Sequence, residues 1–173
     1  MKDTLISRRE FLKDIGMIGA GVLLSASPWL SAFSEVVETS GEKCRLAIIG
    51  PGSRGRFLMS FLVQNPKVEI VALCDIYQPS IEKALELAPK AKVYDDYRKI
   101  LEDKTVDAVL VATPLNSHCQ IVLDAFDAGK HVFCEKSIGF TMEECFRIYS
   151  KHISTGKIFF TGQQRLFDPR YIK

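Results

Sequence analysis

From residue 44 to residue 162 the chain alternates short apolar runs with stretches whose apolar residues recur at helical spacing. Cys44 to Ile49 is an apolar run between a charged stretch and a glycine, the pattern of a strand buried on both faces. In Arg54 to Gln64, the residues Phe57, Leu58, Phe61 and Leu62 share one helical face, and Val68 to Cys74 is a second strand-like run ending at Asp75. Pro79 to Leu87 predicts a helix with proline near its first turn, and Ala91 to Tyr94 a short third strand. Asp95-Asp96-Tyr97 starts another helical turn, its acidic residues suited to the positive helix end. Val106 to Ala112 predicts a fourth buried strand, Cys119 to Ala128 a helix closed by Gly129, and His131 to Cys134 a fifth strand running into Glu135-Lys136. Thr141 to Thr155 reads as a longer helix ended by Gly156, and Ile158 to Thr161 as a sixth strand ended by Gly162.

Strands alternating with helices over short links predict an α/β fold built on a doubly wound parallel sheet. Right-handed crossovers put every strand's carboxyl end on one edge, where ligands bind in such sheets. Five loops with polar or glycine content fall there: Gly50 to Gly55, Asp75, Thr113 to His118, Glu135-Lys136 and Gly162 to Arg165. The first has the order G-x-G-x-x-G, with Ser53 and Arg54 between its last two glycines. Gly50 allows the tight turn, Gly52 lets the backbone approach a pyrophosphate, and Gly55 lets the following helix pack close to its strand. Such a triplet also occurs in plain turns, so its context decides. Asp75 supplies that context: it stands twenty residues beyond Gly55, where a carboxylate accepts hydrogen bonds from ribose hydroxyls. Its charge repels a ribose 2′-phosphate, so the expected cofactor is NAD rather than NADP. A plain strand-end turn residue is the alternative reading of Asp75.

Composition narrows the picture. The chain has 173 residues, 47% of them hydrophobic, which fits one globular domain. The formal net charge is only +2, with Lys and Arg dispersed, so no basic stripe argues for a nucleic-acid partner and a small molecule is expected instead. Ser7-Arg8-Arg9-Glu10-Phe11-Leu12-Lys13, followed by the glycine-containing apolar run Ile15 to Ala26, reads as a twin-arginine export signal over residues 1–34. Residues 35–43 read as a polar linker into a folded domain over 44–162. The apolar run is too short and glycine-rich for a transmembrane helix, so stable membrane insertion is expected only if the signal is uncleaved. The protein is therefore expected in the periplasm, or otherwise exported through that pathway. Cys44, Cys74, Cys119, Cys134 and Cys145 show no C-x-x-C or zinc-like spacing and read as buried structural thiols, with no metal site.

Taken together, Gly50-Pro51-Gly52-Ser53-Arg54-Gly55, Asp75, Ala112-Thr113-Pro114-Leu115-Asn116-Ser117-His118, Gly129-Lys130-His131-Val132-Phe133-Cys134-Glu135-Lys136 and Gly162-Gln163-Gln164-Arg165 resemble the Gfo/Idh/MocA family of NAD(P)-dependent oxidoreductases, over about residues 44 to 173. The resemblance implies a Rossmann NAD(P)-binding domain followed by a carboxyl-terminal α/β domain with an open sheet, acting on sugars, inositols and related polyols. It implies that Lys136 matches the lysine of the family's Glu-Lys-Pro motif, which bonds substrate and assists proton transfer. It further implies that Thr113, Pro114, Asn116 and His118 form the loop under the nicotinamide half of the cofactor, that Glu135 belongs to the cofactor set, and that Gln164 and Arg165 contact substrate. Ser137 stands where the family usually has proline. Partial burial and a nearby nicotinamide cation would lower the Lys136 pKa, so that a neutral amine can accept a hydroxyl proton. The alternatives are an ion pair of Lys136 with Glu135 or another carboxylate, for His118 a helix amino-terminal residue bonding a nearby carbonyl, and for Gln163, Gln164 and Arg165 only the start of the interdomain link.

The chain stops at Tyr171-Ile172-Lys173, where the family's second domain gets under way, so residues 163–173 are expected to be the start of a truncated substrate domain. The expected function is that of an NAD-dependent oxidoreductase transferring hydride to or from a sugar, inositol or polyol, here as a fragment of a homo-oligomeric parent. Two alternatives stand beside it. One is an NAD-dependent glycosidase of the same family, which oxidises, eliminates, hydrates and re-reduces; the Gly-Ser-Arg-Gly turn and the export signal are similar to that subgroup. The other is a non-catalytic nucleotide-binding remnant.

Overall fold

The computed structural model describes residues 43–163; the segment read above as a twin-arginine signal, Gln164, Arg165 and the rest of the carboxyl terminus lie outside them. Strands β1 (Cys44–Ile49), β2 (Val68–Cys74), β3 (Lys92–Tyr94), β4 (Ala108–Val111), β5 (His131–Cys134) and β6 (Phe159–Thr161) alternate with helices α1 (Ser53–Leu62), α2 (Gln78–Leu85), α3 (Tyr97–Glu102), α4 (His118–Asp127) and α5 (Met142–Thr155). A single 3-10 turn, Leu115–Ser117, precedes α4.

All neighbouring strands pair in parallel, in the order β3-β2-β1-β4-β5-β6. The chain builds outward from β1 to β3, then crosses back to place β4 on the other side of β1. The winding direction therefore reverses between β1 and β4, and the crevice at their carboxyl ends is the ligand position of such sheets. The doubly wound parallel sheet expected from the alternation is what forms.

Successive strand residues point to opposite faces, and both faces are covered. Leu46, Ile48, Leu73, Leu110 and Phe133 pack against Leu58, Met59 and Leu62 of α1 and Ile81 of α2. Ala47, Ile49, Val109, Val111 and Val132 pack against Ile100 of α3, Ile121, Val122 and Ala125 of α4, and Ile148 of α5. Double coverage is why the strands read as apolar runs rather than as alternations. The fourth strand begins two residues later than expected: the Val106 carbonyl, at the position expected to open it, accepts the buried Lys130 ammonium at 2.8 Å instead of entering the ladder. Thr141 and Glu144 form a capping box at the start of α5, and Gly156 ends it at φ 63°, where the sequence places the end of the helix. Met142, Phe146, Tyr149 and Ile153 remain exposed on α5.

Four of the five cysteines are buried, and Cys145 is half-buried. Burial pushes the Cys44 and Cys74 thiols up to about 11, which keeps them protonated and unreactive.

The edge of the sheet depends on a neutral histidine. Nδ1 of His131 accepts the Ile158 N–H at 3.0 Å, holding the segment that enters β6. Burial keeps the His131 pKa below its ordinary 6.5, with Lys157 adding to the effect. His152, with its ring against Phe126 and Phe159, is also held below 6.5 by burial. Both folded-state values lie below the unfolded ones, so their stabilisation is fully present above the unfolded pKa and is lost as pH falls through the folded values. The urea midpoint is expected to stay flat from about pH 8 to 7 and to fall between about pH 6.5 and 5. His131→Asn, whose amide oxygen accepts the same bond without charging, should flatten part of that fall. An unchanged slope in the variant would remove His131 from this account.

Candidate functional site

The carboxyl ends of β1, β2, β4, β5 and β6 form the candidate site, and glycine decides how closely they approach. Gly50 follows β1 at φ +84°, and a Cβ there would lie 2.7 Å from the Thr113 nitrogen and 2.9 Å from the Ala112 carbonyl carbon. The turns after β1 and β4 therefore touch only because Gly50 has no side chain. A Cβ on Gly55 would lie 2.5 Å from the Gly50 oxygen, so α1 abuts the turn. Gly52 differs, because a Cβ there meets nothing within 4 Å. No contact inside the described fold asks for glycine at that position, and the open side of its backbone lies at the mouth of α1.

That helix begins without a cap. Gly52 is its N-cap, no side chain bonds the first turn, and the first turn holds no acidic residue. The amide groups of Ser53, Arg54 and Gly55 are left without intrahelical acceptors at the positive end of the helix, an arrangement suited to a phosphate. The residues present thus fit a dinucleotide: uncapped donors, and a backbone approach that a Cβ on Gly52 would fill.

Asp75 lies half-buried at the end of β2. Its Oδ1 accepts the Tyr77 N–H at 2.9 Å, which makes it the turn residue of one sequence reading. Its Oδ2 has no partner among the described residues, so the same side chain can also accept a ribose hydroxyl. One oxygen is taken by the turn, and the other is open among the described residues.

The loop after β4 is held by its own hydroxyls: Ser117 Oγ lies 2.8 Å from Thr113 Oγ1 and 2.7 Å from the Pro114 oxygen. Pro114 and Asn116 are exposed. His118 departs from the expectation that it faces the cofactor. The side chain is 2% exposed, with Nδ1 2.7 Å from the Ser137 oxygen and Nε2 2.8 Å from the Thr113 oxygen. Both ring nitrogens face main-chain carbonyls, so whichever carries the proton donates within the fold, and His118 is wedged between the β4 loop and the β5 loop. Its alternative reading, as a helix amino-terminal residue bonding a nearby carbonyl, matches this geometry.

Glu135 and Lys136 follow β5, and here the structure separates residues that the sequence joins. Glu135 is buried, and its Oε1 accepts Arg54 Nε at 2.7 Å; the ion pair with Lys136 does not form. The Glu135 carboxylate is therefore spent inside the fold, as is the Arg54 Nε, rather than on a ligand. Lys136 is exposed instead of partly buried, and its ammonium has no partner among the described residues. The Lys136–Ser137 peptide is cis although Ser137 is not proline. Gln163 is exposed beyond β6.

Sequence reading missed the Arg54–Glu135 pair, which joins positions 81 apart, and the approach of Gly162 to that carboxylate. A Cβ on Gly162 would lie 2.8 Å from Glu135 Oε1. Neither contact leaves a local signal, because spacing along the chain says nothing about which side chains two loops present to each other.

Residues 44–163 match the family described as an oxidoreductase family with an NAD-binding Rossmann fold. A glycosyl hydrolase family 109 protein of Stenotrophomonas maltophilia is 34% identical over 163 residues, covering 87% of this chain and 34% of the relative. An alpha-N-acetylgalactosaminidase of Shewanella oneidensis is 31% identical, with 83% of this chain and 36% of the relative covered. The crystal structure of myo-inositol dehydrogenase from Lactobacillus casei, in complex with NAD(H) and myo-inositol, superposes with a TM-score of 0.70 at 32% identity, covering 73% of this chain and 38% of that one. The chain thus spans about a third of the length of the curated relatives it matches.

Proposed function

The chain belongs to the Gfo/Idh/MocA oxidoreductase family and carries its NAD-binding Rossmann domain, and from that premise we propose that it serves an enzyme transferring hydride between NAD and a sugar, inositol or related polyol. The observation that carries the reading is the exposed amine of Lys136, without a partner among the described residues, on the same sheet edge as the uncapped turn Gly50 to Gly55. NAD, when bound, supplies the hydride acceptor or donor. The first-turn amides of α1 hold its phosphates, and the open backbone of Gly52 lets them come close. The free Oδ2 of Asp75 accepts ribose hydroxyls and repels a 2′-phosphate. Thr113, Pro114 and Asn116 line the cofactor's far half, and His118 fixes that loop from beneath. In its neutral amine form, Lys136 Nζ takes the proton from the substrate hydroxyl while hydride leaves the same carbon. Gln164 and Arg165 are proposed substrate contacts.

Asp75→Ala is expected to weaken NAD about tenfold, since hydrogen bonds to a charged group contribute about 1.5–3 kcal/mol, and to narrow the preference over NADP. Calorimetric titration of both nucleotides measures this. Unchanged affinity would leave Asp75 a turn residue only.

A second reading has its own support in the relatives named as a family 109 glycosyl hydrolase and an alpha-N-acetylgalactosaminidase. In that reading the sugar is oxidised, undergoes elimination and hydration, and is re-reduced, and the cofactor ends each cycle unchanged. Export by the twin-arginine signal at residues 1–34 fits such a cycle, because a restored cofactor needs no replenishing in the periplasm. Incubating the full-length parent with aryl glycosides separates the readings. Aglycone release without net NADH supports the glycosidase, and accumulating NADH supports the dehydrogenase.

A further inference from the structure

Three segments of the ligand edge converge on one buried carboxylate. Glu135, just after β5, is 5% exposed. Its Oε1 accepts Arg54 Nε at 2.7 Å, and its Oε2 accepts the Lys136 main-chain N–H at 3.1 Å. Gly162, just after β6, packs so closely that a Cβ would lie 2.8 Å from Oε1 and 2.9 Å from Oε2. Arg54 stands in the first turn of α1, two residues after the N-cap Gly52, with its guanidinium carbon 5.2 Å from the Phe57 ring centroid. Only its Nε is spent on Glu135. The two terminal nitrogens have no partner among the described residues.

A carboxylate at this edge needs a reason. Unpaired, it would repel the phosphates that the turn is shaped to hold, and strongly so at low exposure. Its bonds supply the reason: one oxygen grips the helix turn, and the other grips the main chain of Lys136. The planar guanidinium, fixed at Nε and stacked on Phe57, keeps its remaining donors available for a phosphate oxygen.

We propose that Glu135 is a positioning residue that, through Arg54 and the Lys136 amide, holds the dinucleotide turn and Lys136 in one register, while Arg54 cancels its charge and offers its terminal nitrogens to the dinucleotide's phosphates. The inference rests on the NAD reading above. It replaces the expectation that Glu135 itself contacts the cofactor.

The pairing predicts an inversion of sign. Removing Arg54 strands a buried carboxylate beside the phosphate site, so removing the carboxylate's charge as well should restore binding. Calorimetry with NAD on the whole chain is expected to show Arg54→Ala weakened about tenfold or more and Glu135→Gln weakened about threefold. The double variant should bind at least about threefold tighter than Arg54→Ala alone. A merely structural pair would not produce this rescue. Additive losses, or four equal affinities, would overturn the proposal.

Hydrogen exchange of the ligand-free protein tests the other arm. The Lys136 amide is expected to exchange at least about fivefold faster in Glu135→Gln and in Gly162→Ala, each of which disturbs the accepting carboxylate. Unchanged exchange in both would remove Lys136 from the register. If the unmutated chain took up no NAD, the NAD reading and the phosphate arm would fall together, whereas the exchange result would still decide the Glu135–Lys136 arm.

Discussion

Gly50→Ala is expected to lower the melting temperature by about 10 °C or more, from a cost of at least about 3 kcal/mol. Two penalties combine. At φ +84° an L side chain is strained, and its Cβ would lie 2.7 Å from the Thr113 nitrogen, 2.8 Å from Thr113 Cγ2 and 2.9 Å from the Ala112 carbonyl carbon. Two of those three atoms are main chain of the β4 turn, which cannot yield without disturbing the central strands. Gly52→Ala provides the contrast, because its backbone at φ −64° suits alanine and its Cβ meets nothing within 4 Å. Its melting temperature should stay within a few degrees, since exchanging glycine for alanine at an N-cap costs up to about 1 kcal/mol. Its NAD affinity should fall about tenfold or more, because a methyl would occupy the approach of the pyrophosphate. Thermal melts and nucleotide titrations of the two variants check the pair. Two variants equally stable, or a Gly52→Ala variant that binds like the parent, would mean that the turn is not read correctly.

The second large effect concerns turnover. In the whole enzyme that we propose the chain serves, Lys136→Ala is expected to reduce kcat on the polyol or glycoside by about 100- to 10,000-fold, the range of a positioned proton acceptor, while the NAD dissociation constant changes less than twofold. The geometry separates the two outcomes: the Lys136 side chain has no partner among the described residues, and the turn proposed to hold the phosphates is built from other segments. Lys136→Arg should not restore the rate, because a guanidinium does not give up its proton near neutral pH. Steady-state kinetics beside calorimetry provides the comparison. Equal losses in rate and affinity would make Lys136 a cofactor contact instead.

Much of the fold was legible because it was local. A strand covered on both faces has to be apolar throughout, so β1, β2 and β5 showed as runs with the ends that form in three dimensions. Gly50 and Gly55 were legible because turn geometry and helix contact are settled within six residues, and Asp75 because the βαβ unit sets its distance. Gly156 marked the end of α5, because a left-handed glycine suits a helix terminus. What was not legible depended on loops meeting across the sheet edge. His118 spends its ring on Thr113 and on Ser137, 19 positions away; no periodicity distinguishes an inward ring from one facing a ligand. Glu135 was read beside its neighbour Lys136, yet its carboxylate turns to Arg54, which only the β1–β4–β5 arrangement brings near. The late start of β4 has the same origin, since the Val106 carbonyl is taken by Lys130 from the far end of α4.

These assignments share one premise, that the edge built by Gly50 to Gly55 and Asp75 holds NAD. Titrating NAD and NADP into the whole chain by calorimetry addresses it without requiring any substrate. The expected result is saturable NAD binding in the micromolar to sub-millimolar range and at least about tenfold weaker NADP binding, since the Asp75 charge repels the 2′-phosphate. Gly52→Ala and Asp75→Ala should each weaken NAD, and Lys136→Ala should not. No heat at millimolar NAD, or binding that survives both Gly52→Ala and Asp75→Ala unchanged, would contradict the account.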